Sequence, residues 1–383
     1  METTKKILGA LLALAMLCAM LIVPAAVYAD GENTSDSAGT VYGNGIAGGT
    51  TTFQKNLILS ADANVPSAAF AFEIVPGTAK EATETTVAIV AGPSGATVGS
   101  AAIAAGATTT AGTPGDSTET GKKYATATVT VDLTNVMFPA PGVYRYVITE
   151  EAVADPYSIT GTNPQYLDVY VEHSATATNH LEVKGYVLHT DEDAPLIAGG
   201  ELATKSQGFT NEYATQNLTF SKTVTGNQGS RDKYFKFTVS ITGAAAGAKY
   251  DVDLTNADAA VPESVSTKSE YIGKSNAASI EIPAGATGTE AVYYLKNGQS
   301  LTIKGLAKGT GYTITEEYED YAQTVEGTAN GTIGTEDITV AYTNNRGGAV
   351  PTGVMLTIVP GVIIVGIAIV GLIVFSRKKK ENE

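Results

Sequence analysis

The chain is nearly without cysteine and entirely without tryptophan. Its one cysteine among 383 residues, Cys18, lies in an apolar N-terminal stretch with the layout of a cleaved signal peptide. A chain exported without that stretch can form no disulfide and has no thiolate to act as a nucleophile or a metal ligand. Any covalent reinforcement of the exported protein must therefore come from other side chains.

Basic residues are also few, because the chain has 24 Lys and Arg against 39 Asp and Glu and a net charge of −15. This balance argues against nucleic acid as a partner, since phosphates are bound by clustered Lys and Arg. The three histidines, His173, His180 and His189, show no ligand spacing and are interpreted as solvated. The acidic turn at 191–193 lacks the alternating oxygen ligands of a calcium loop. We expect neither a metal nor a cofactor.

Catalytic motifs are missing as well. The sequence shows no Gly-rich phosphate loop at a strand-to-helix junction and no Ser/His/Asp order that suggests a hydrolase. An extracellular enzyme is therefore the least favoured class of function.

Both ends of the chain carry targeting patterns. Residues 1–29 are predicted to be a signal peptide, cleaved before Asp30. At the other end, residues 349–383 have the layout of a Gram-positive cell-wall sorting signal, with an apolar run at 354–375 long enough to cross a membrane and a basic tail at 377–380. An ordinary C-terminal membrane anchor is the alternative. The short motif that favours sorting consists of Val350, Pro351, Thr352 and Gly353.

Period-two alternation recurs through most of the region between these signals. It predicts strands with one buried face, and no segment there shows a convincing helical period. Residues 30–47 are polar and Gly-rich and are predicted to be a flexible segment. Residues 91–118 are a low-complexity insertion, interpreted as a long loop or a poorly specified strand pair. The alternating segments are 69–74, 124–133, 144–149, 166–173, 181–188, 234–241, 278–282, 291–295, 312–316 and 338–342.

Four short pieces occur twice in the same order. This repetition predicts two copies of one domain, at 48–213 and 214–347, joined by a linker short enough to limit their relative motion. The matched pieces are 52–55 with 219–222, 70–72 with 235–237, 146–151 with 312–317, and 209–211 with 342–344.

Each copy points three polar side chains into its own apolar core. Residues two apart on a strand share a face, so each of these groups lies on the same side as the aromatic and aliphatic residues beside it. A single such group is more often a snorkelling lysine or a hydrogen-bonded core residue. The same three residue types face inward in both copies and in the same order, which favours a chemical role. The first trio is Lys55, Glu150 and Asn211, and the second trio is Lys222, Glu316 and Asn344.

The chemistry that fits these trios is self-catalysed amide formation. Burial disfavours the charged forms of the amine and of the acid, so the amine becomes a nucleophile. We expect Lys55 to attack the side-chain carbonyl carbon of Asn211. Glu150 would hydrogen-bond the carbonyl oxygen and shuttle a proton to the departing ammonia. The second trio would react likewise, and each would react once, so the chain is not predicted to be an enzyme.

The repeated TFxK, FxF, YxITE and FTN or YTN pieces, followed by VPTG, resemble the streptococcal T-antigen type of backbone pilin. That family has two immunoglobulin-like domains of CnaB type, each with a Lys–Asn isopeptide bond beside a Glu. The resemblance implies an all-β fold of two tandem β-sandwich domains, flanked by a signal peptide and a C-terminal transmembrane helix. It also implies a structural subunit of a covalent surface pilus, either cell wall-anchored or within the pilus. Its partners would be a sortase, other copies of itself, accessory pilins and peptidoglycan.

The resemblance further implies how subunits are joined. The sortase would attack the carbonyl of Thr352 and pass the chain to a lysine of another subunit. In the family this lysine lies a little before the bonding asparagine, so Lys205 is the first candidate and Lys184 the second. The alternative function is a singly wall-anchored adhesin that uses the two domains as a stalk or to bind a host surface ligand.

Overall fold

The structure is a computed structural model that describes residues 45–83, 87–175, 180–193 and 205–348. The predicted signal peptide (1–29), most of the segment 30–47 and the predicted sorting signal (349–383) lie outside the described residues. The motif from Val350 to Gly353 lies outside them too. Within the described ranges, no helix combines the length and the apolar character needed to cross a membrane.

The described part is built almost entirely of β-strands, as expected, with a single-turn 3₁₀ helix at Ser269–Tyr271. The strands are β1 (Ile46–Ala47), β2 (Thr50–Ser60), β3 (Ala68–Phe70), β4 (Phe72–Pro76), β5 (Ile89–Ala91), β6 (Thr97–Val98), β7 (Ala101–Ile103), β8 (Thr110–Ala111), β9 (Lys122–Asp132), β10 (Met137–Phe138), β11 (Gly142–Glu150), β12 (Tyr157–Thr160), β13 (Gln165–His173), β14 (Leu181–His189), β15 (Gly208–Tyr213), β16 (Thr215–Thr225), β17 (Phe235–Thr242), β18 (Lys249–Asp253), β19 (Ser279–Glu281), β20 (Gly288–Leu295), β21 (Ser300–Ala307), β22 (Gly311–Glu317), β23 (Ala322–Glu326), β24 (Asn330–Thr332) and β25 (Ile338–Asn345).

Two sheets face each other in the first half of the chain. One has the strand order β14-β13-β11-β4 with β5 alongside β11, and the other has the order β12-β15-β2-β9-β6 with β8 alongside β9. Alternate residues of these strands point inward, as a period of two requires. They form one apolar core that includes Phe53, Leu57, Val129, Tyr146 and Val169. We call this unit the first sandwich.

The second half repeats the architecture. A sheet of order β19-β18-β21-β16-β25-β23 packs on a sheet of order β20-β17-β22-β24. Their inward side chains form a separate core that includes Phe220, Phe237, Val239, Ile303 and Val340. We call this unit the second sandwich.

In each sandwich the strand that carries the lysine and the strand that carries the asparagine are parallel neighbours. β2 pairs with β15 in the first sandwich, and β16 pairs with β25 in the second. The strand that carries the glutamate lies in the facing sheet, where β11 pairs with β4 and β22 pairs with β17. The same four-strand arrangement therefore surrounds each trio.

The two sandwiches meet with almost no linker. Only Ala214 separates β15 from β16. Ala307 of the second half packs against the core of the first sandwich. A Cβ atom placed on Gly305 would come within 2.6 Å of the Cα atom of Ala63, so the two backbones touch there. The short connection expected from the repeats thus coincides with direct packing between the units.

One sequence expectation needs correction, and the structure decides between two others. Residues 46 and 47, assigned to the flexible segment, form β1 and pair with β10. Of the two interpretations of the insertion 91–118, strands rather than a long loop are found, because β6 and β8 pair with β9 while β7 pairs with β3. Ala101 and Ile103 of β7 are buried in the first core. Small side chains allow this close packing even though the local sequence shows no clear alternation.

Candidate functional site

A lysine, an asparagine and a glutamate meet in the core of the first sandwich. Lys55 Nζ lies 2.8 Å from Glu150 Oε2. Asn211 Nδ2 donates a hydrogen bond to Glu150 Oε1 over 2.6 Å. Lys55 and Asn211 stand on β2 and β15, and Glu150 reaches them from β11 across the core. One carboxylate therefore bridges the amine and the amide.

The second sandwich brings its trio together in the same way, with one difference. Lys222 Nζ lies 2.7 Å from Glu316 Oε1, and Asn344 Nδ2 donates to that same oxygen over 2.9 Å. The other carboxylate oxygen, Glu316 Oε2, accepts a hydrogen bond of 2.7 Å from Gln323 Nε2. Both reactive groups thus share a single oxygen here.

The strand register is identical in the two sites. Each lysine lies opposite an aromatic residue two positions before the asparagine, and each glutamate lies opposite the second phenylalanine of an FxF piece. The matched pairs are Lys55–Phe209 with Lys222–Tyr342, and Glu150–Phe72 with Glu316–Phe237. The sequence repeats therefore correspond to a repeated three-dimensional arrangement.

Both amines are cut off from water. The side chains of the lysines and of their glutamate partners are 0% exposed. Lys55 Nζ lies 4.6 Å from the ring centre of Phe70, and Lys222 Nζ lies 4.4 Å from that of Phe235. Desolvation lowers the pKa of each lysine from 10.5 to about 8, although the hydrogen bond and charge of the glutamate oppose the shift. About a tenth of each amine is then neutral at pH 7, against a few parts in 10,000 for a solvated lysine.

The contact between glutamate and asparagine differs from the expected one. The sequence predicts that Glu150 contacts the carbonyl oxygen of Asn211, whereas the structure places the amide nitrogen there. Asn344 is oriented likewise. A carboxylate oxygen accepts hydrogen bonds, so it attracts the NH₂ group of the amide. Each carboxylate consequently touches the nitrogen that would have to leave as ammonia.

Two supporting residues escaped the sequence analysis. The side chain of Asn163 accepts from the backbone N–H of Glu150 over 2.9 Å and donates to its carbonyl over 3.0 Å. In the second sandwich, Gln323 holds the Glu316 carboxylate itself. Neither residue belongs to a repeated piece, and their contacts depend on pairings between strands that the sequence does not reveal.

The two candidate polymerisation lysines are both exposed. Lys205 forms an isolated β-bridge with His189, which ties the backbone before β15 to the end of β14. Lys184 lies within β14, where its amine pairs with Glu182. The ionic contact of Lys184 raises its pKa, chiefly through the Glu182 hydrogen bond.

A buried ionic cluster lies outside the trios. Arg145 donates two hydrogen bonds of 2.7 Å to the two carboxylate oxygens of Asp168. His189 Nε2 lies 3.3 Å from Asp168 Oδ2, and His189 is only 3% exposed. The prediction that all three histidines are solvated is therefore wrong for His189. Arg145 also donates to the backbone carbonyl of Glu192, which brings the chain after β14 over this face of the sheet.

In the described ranges, no group of three or more His, Cys, Asp or Glu side chains could hold a metal ion. The acidic turn at 191–193 instead contacts a lysine, because Lys80 Nζ lies 2.7 Å from Asp193 Oδ1.

Comparison with known proteins identifies relatives along most of the chain. Residues 51–214 match the Spy0128-like isopeptide containing domain, and residues 216–346 match a domain of unknown function, DUF7601. A pilin of Streptococcus pyogenes serotype M1 is 26% identical over 372 residues, which cover 90% of this chain and 96% of the pilin. The pilus tip adhesin Cpa of Streptococcus pyogenes is 26% identical over 220 residues, 54% of this chain and 27% of the adhesin.

A solved structure agrees at the level of the fold. The crystal structure of the major pilin from Streptococcus pyogenes superimposes with a TM-score of 0.52 at 22% identity, covering 79% of this chain and 100% of the pilin chain. Residues 51–214 thus match the model of the Spy0128-like isopeptide containing domain, in a chain that is similar to a streptococcal pilin over 90% of its length.

Proposed function

We propose that the chain is a structural subunit of a covalently polymerised surface pilus and that each sandwich forms its own Lys–Asn isopeptide bond. The relationship to a pilin over 90% of the chain supports the structural role. One observation supports the proposed crosslinks. In both sandwiches a buried amine and a buried side-chain amide contact the same carboxylate in the same strand register.

The bond would form in a single turnover. The neutral lysine Nζ attacks the asparagine Cγ and forms a new C–N bond. The glutamate carboxyl group takes a proton from the attacking nitrogen and delivers a proton to Nδ2. The Cγ–Nδ2 bond then breaks, ammonia leaves, a secondary amide remains, and the glutamate returns to its starting protonation state.

The fold supplies most of what this reaction needs. Holding an amine and an amide in fixed positions can lower a barrier by about 7–11 kcal/mol. The lowered pKa of Lys55 and of Lys222 adds neutral nucleophile at neutral pH. Glu150 and Glu316 already touch the leaving nitrogen, so the proton has only one hydrogen bond to cross.

Intact mass tests the crosslinks. The fragment 30–352 should weigh less than its sequence by two ammonia molecules. Glu150→Gln and Glu316→Gln should each restore one, because a glutamine cannot pass a proton in the same way. Peptide mapping should then locate the bonds between Lys55 and Asn211 and between Lys222 and Asn344. A wild-type fragment with its full sequence mass would refute the crosslinking proposal.

Polymerisation would join the sorting motif of one subunit to a lysine of the next. A sortase would cleave after Thr352 and join its carbonyl to Lys205, with Lys184 as the second candidate, and the last subunit would be joined to peptidoglycan. Lys205 is exposed while its backbone is tied to β14, which offers an amine on a fixed support. Accessory pilins and a host surface ligand would be further partners.

The match to a pilus tip adhesin favours one second candidate, a singly anchored adhesin. Wall extracts boiled in detergent separate the two functions. A pilus subunit should give a ladder of high-mass species that collapses in Lys205→Arg, with Lys184→Arg as the matched control. A single band of monomer size in the wild type would favour the adhesin.

A further inference from the structure

The two trios differ at the position opposite the asparagine on the outer neighbouring strand. In the second sandwich, Gln323 of β23 lies directly opposite Asn344. In the first sandwich, Ile159 of β12 lies directly opposite Asn211. β23 and β12 have equivalent places, since each runs antiparallel to the strand that carries the asparagine. One site therefore has an amide donor where the other has an aliphatic side chain.

This difference matches the way each carboxylate is held. Glu150 uses one oxygen for Lys55 and the other for Asn211. A rotation of that carboxylate about its last bond would break both contacts, so the reacting groups themselves hold it. The side chain of Asn163 also fixes the backbone of Glu150 on both its N–H and its carbonyl.

The second carboxylate is held from outside the trio. Both Lys222 and Asn344 contact Glu316 Oε1, and Oε2 accepts from Gln323. The terminal torsion of a glutamate is broad, so a carboxylate with one uncommitted oxygen can turn easily. Gln323 removes that freedom and keeps Oε1 directed at the amine and the amide together.

We propose that Gln323 is a positioning residue for the second crosslink and that the first crosslink needs no such residue. The inference rests on the proposed self-crosslinking. Gln323 acts through Glu316, whose single shared oxygen must take the proton from one nitrogen and give it to another. Loss of the Gln323 donor should therefore slow the second bond and leave the first unchanged.

The test is a time course of both bonds in the same molecule. The full chain is made by cell-free synthesis, quenched in denaturant at intervals and mapped by mass spectrometry of its crosslinked peptides. Gln323→Met keeps the length of the side chain and removes its donor. The second bond should form at least about tenfold more slowly, the effect of losing one hydrogen bond to a charged group. The first bond serves as the internal control.

A matched variant tests the other site. Ile159→Met places the same new side chain opposite Asn211 without removing a donor, and both bonds should form at the wild-type rate. A packing role for Gln323 is excluded by a second measurement, in which Glu316→Met and the double variant Glu316→Met/Gln323→Met should melt at the same temperature. Neither protein has the carboxylate that accepts from Gln323 or can form the second bond, so the comparison reports packing alone.

Three results would overturn the assignment. These are a wild-type rate for the second bond in Gln323→Met, an equal slowing of both bonds, and a lower melting temperature of the double variant. If the wild type forms neither bond, the proposal of self-crosslinking fails, and this inference fails with it. If the wild type forms both bonds and Gln323→Met forms both at the wild-type rates, only the role of Gln323 is lost.

Discussion

Asn211 lies two residues beyond the position opposite Lys55, on the parallel strand beside it. The same offset separates Asn344 from Lys222. The long lysine side chain can span this diagonal, and the glutamate from the facing sheet meets both ends of it. A bond across the diagonal would join the lysine strand to the asparagine strand of each sandwich without changing their register.

Removal of the first crosslink should destabilise mainly the first sandwich. Asn211→Ala would open the proposed covalent loop of more than about 100 residues, and by analogy with disulfides this should cost about 4–5 kcal/mol of unfolding free energy. Calorimetry should show the transition of the first sandwich at a lower temperature. Asn344→Ala is the matched control, because it should shift the other transition. Unchanged melting of an Asn211→Ala protein shown by mass to lack the first bond would contradict this expectation.

Crosslinking should accelerate as the pH rises toward 8. The pKa of each lysine is lowered to about 8, so the neutral amine increases about tenfold per pH unit below that value and levels off above it. The rate of ammonia loss should follow this curve. It can be measured by mass after cell-free synthesis between pH 6 and 9, roughly one unit or more on either side of the pKa. A rate that keeps rising tenfold per unit beyond pH 9 (about one unit above the pKa) would show an amine with an ordinary pKa.

A protein that cannot form the second bond should be more stable in alkali. In Asn344→Ala the pKa of Lys222 is expected to stay near 8, below the 10.5 of an unfolded lysine. Between these values the unfolded chain binds more protons, so stability rises with pH across this window and is flat below it. Across this window the free energy of unfolding should rise by about 3 kcal/mol, as measured by denaturant titrations. The double variant Asn344→Ala/Lys222→Met should lack this gain, and an equal gain in both proteins would point to other groups.

The buried pair of Arg145 and Asp168 should matter more than any exposed pair. Asp168→Asn keeps the shape and removes the charge that faces Arg145, which leaves a buried cation without its partner. The expected loss is about 3–5 kcal/mol in denaturant unfolding. Glu281→Gln breaks the exposed pair with Lys249 and should change stability little. Equal effects of the two substitutions would contradict the burial argument.

Much of the site could be predicted because it occurs twice. The repeated pieces identify Lys55 and Lys222 as equivalent, and alternation along each strand places both of them among core residues. The structure adds that both lysines are buried against a glutamate. The sequence shows which face of a strand is apolar but not which strands are neighbours. Gln323 acquires its role only through its pairing with Asn344, so it could not be found in advance.

Arg145 and Asp168 escaped prediction for a different reason. Alternation assumes a sandwich sheet with one buried face and one solvated face, and both residues stand on the face away from the core. That face is covered in the first sandwich, where the chain around Gly77 packs on the Arg145 side chain and Glu192 accepts from its guanidinium. Coverage by distant segments leaves no periodic signal in the strand itself.

The parallel pairing of β16 with β25 has a mechanical consequence. The chain enters β16 at the junction between the sandwiches and leaves β25 at the opposite end, so a pull along the molecule slides the two strands past each other. Eight paired positions, from Leu218–Ile338 to Thr225–Asn345, then resist the load together rather than peeling apart one at a time. With a bond from Lys222 to Asn344, the load would pass from β16 to β25 through that bond. The residues between Lys222 and Asn344 would then stay folded under tension.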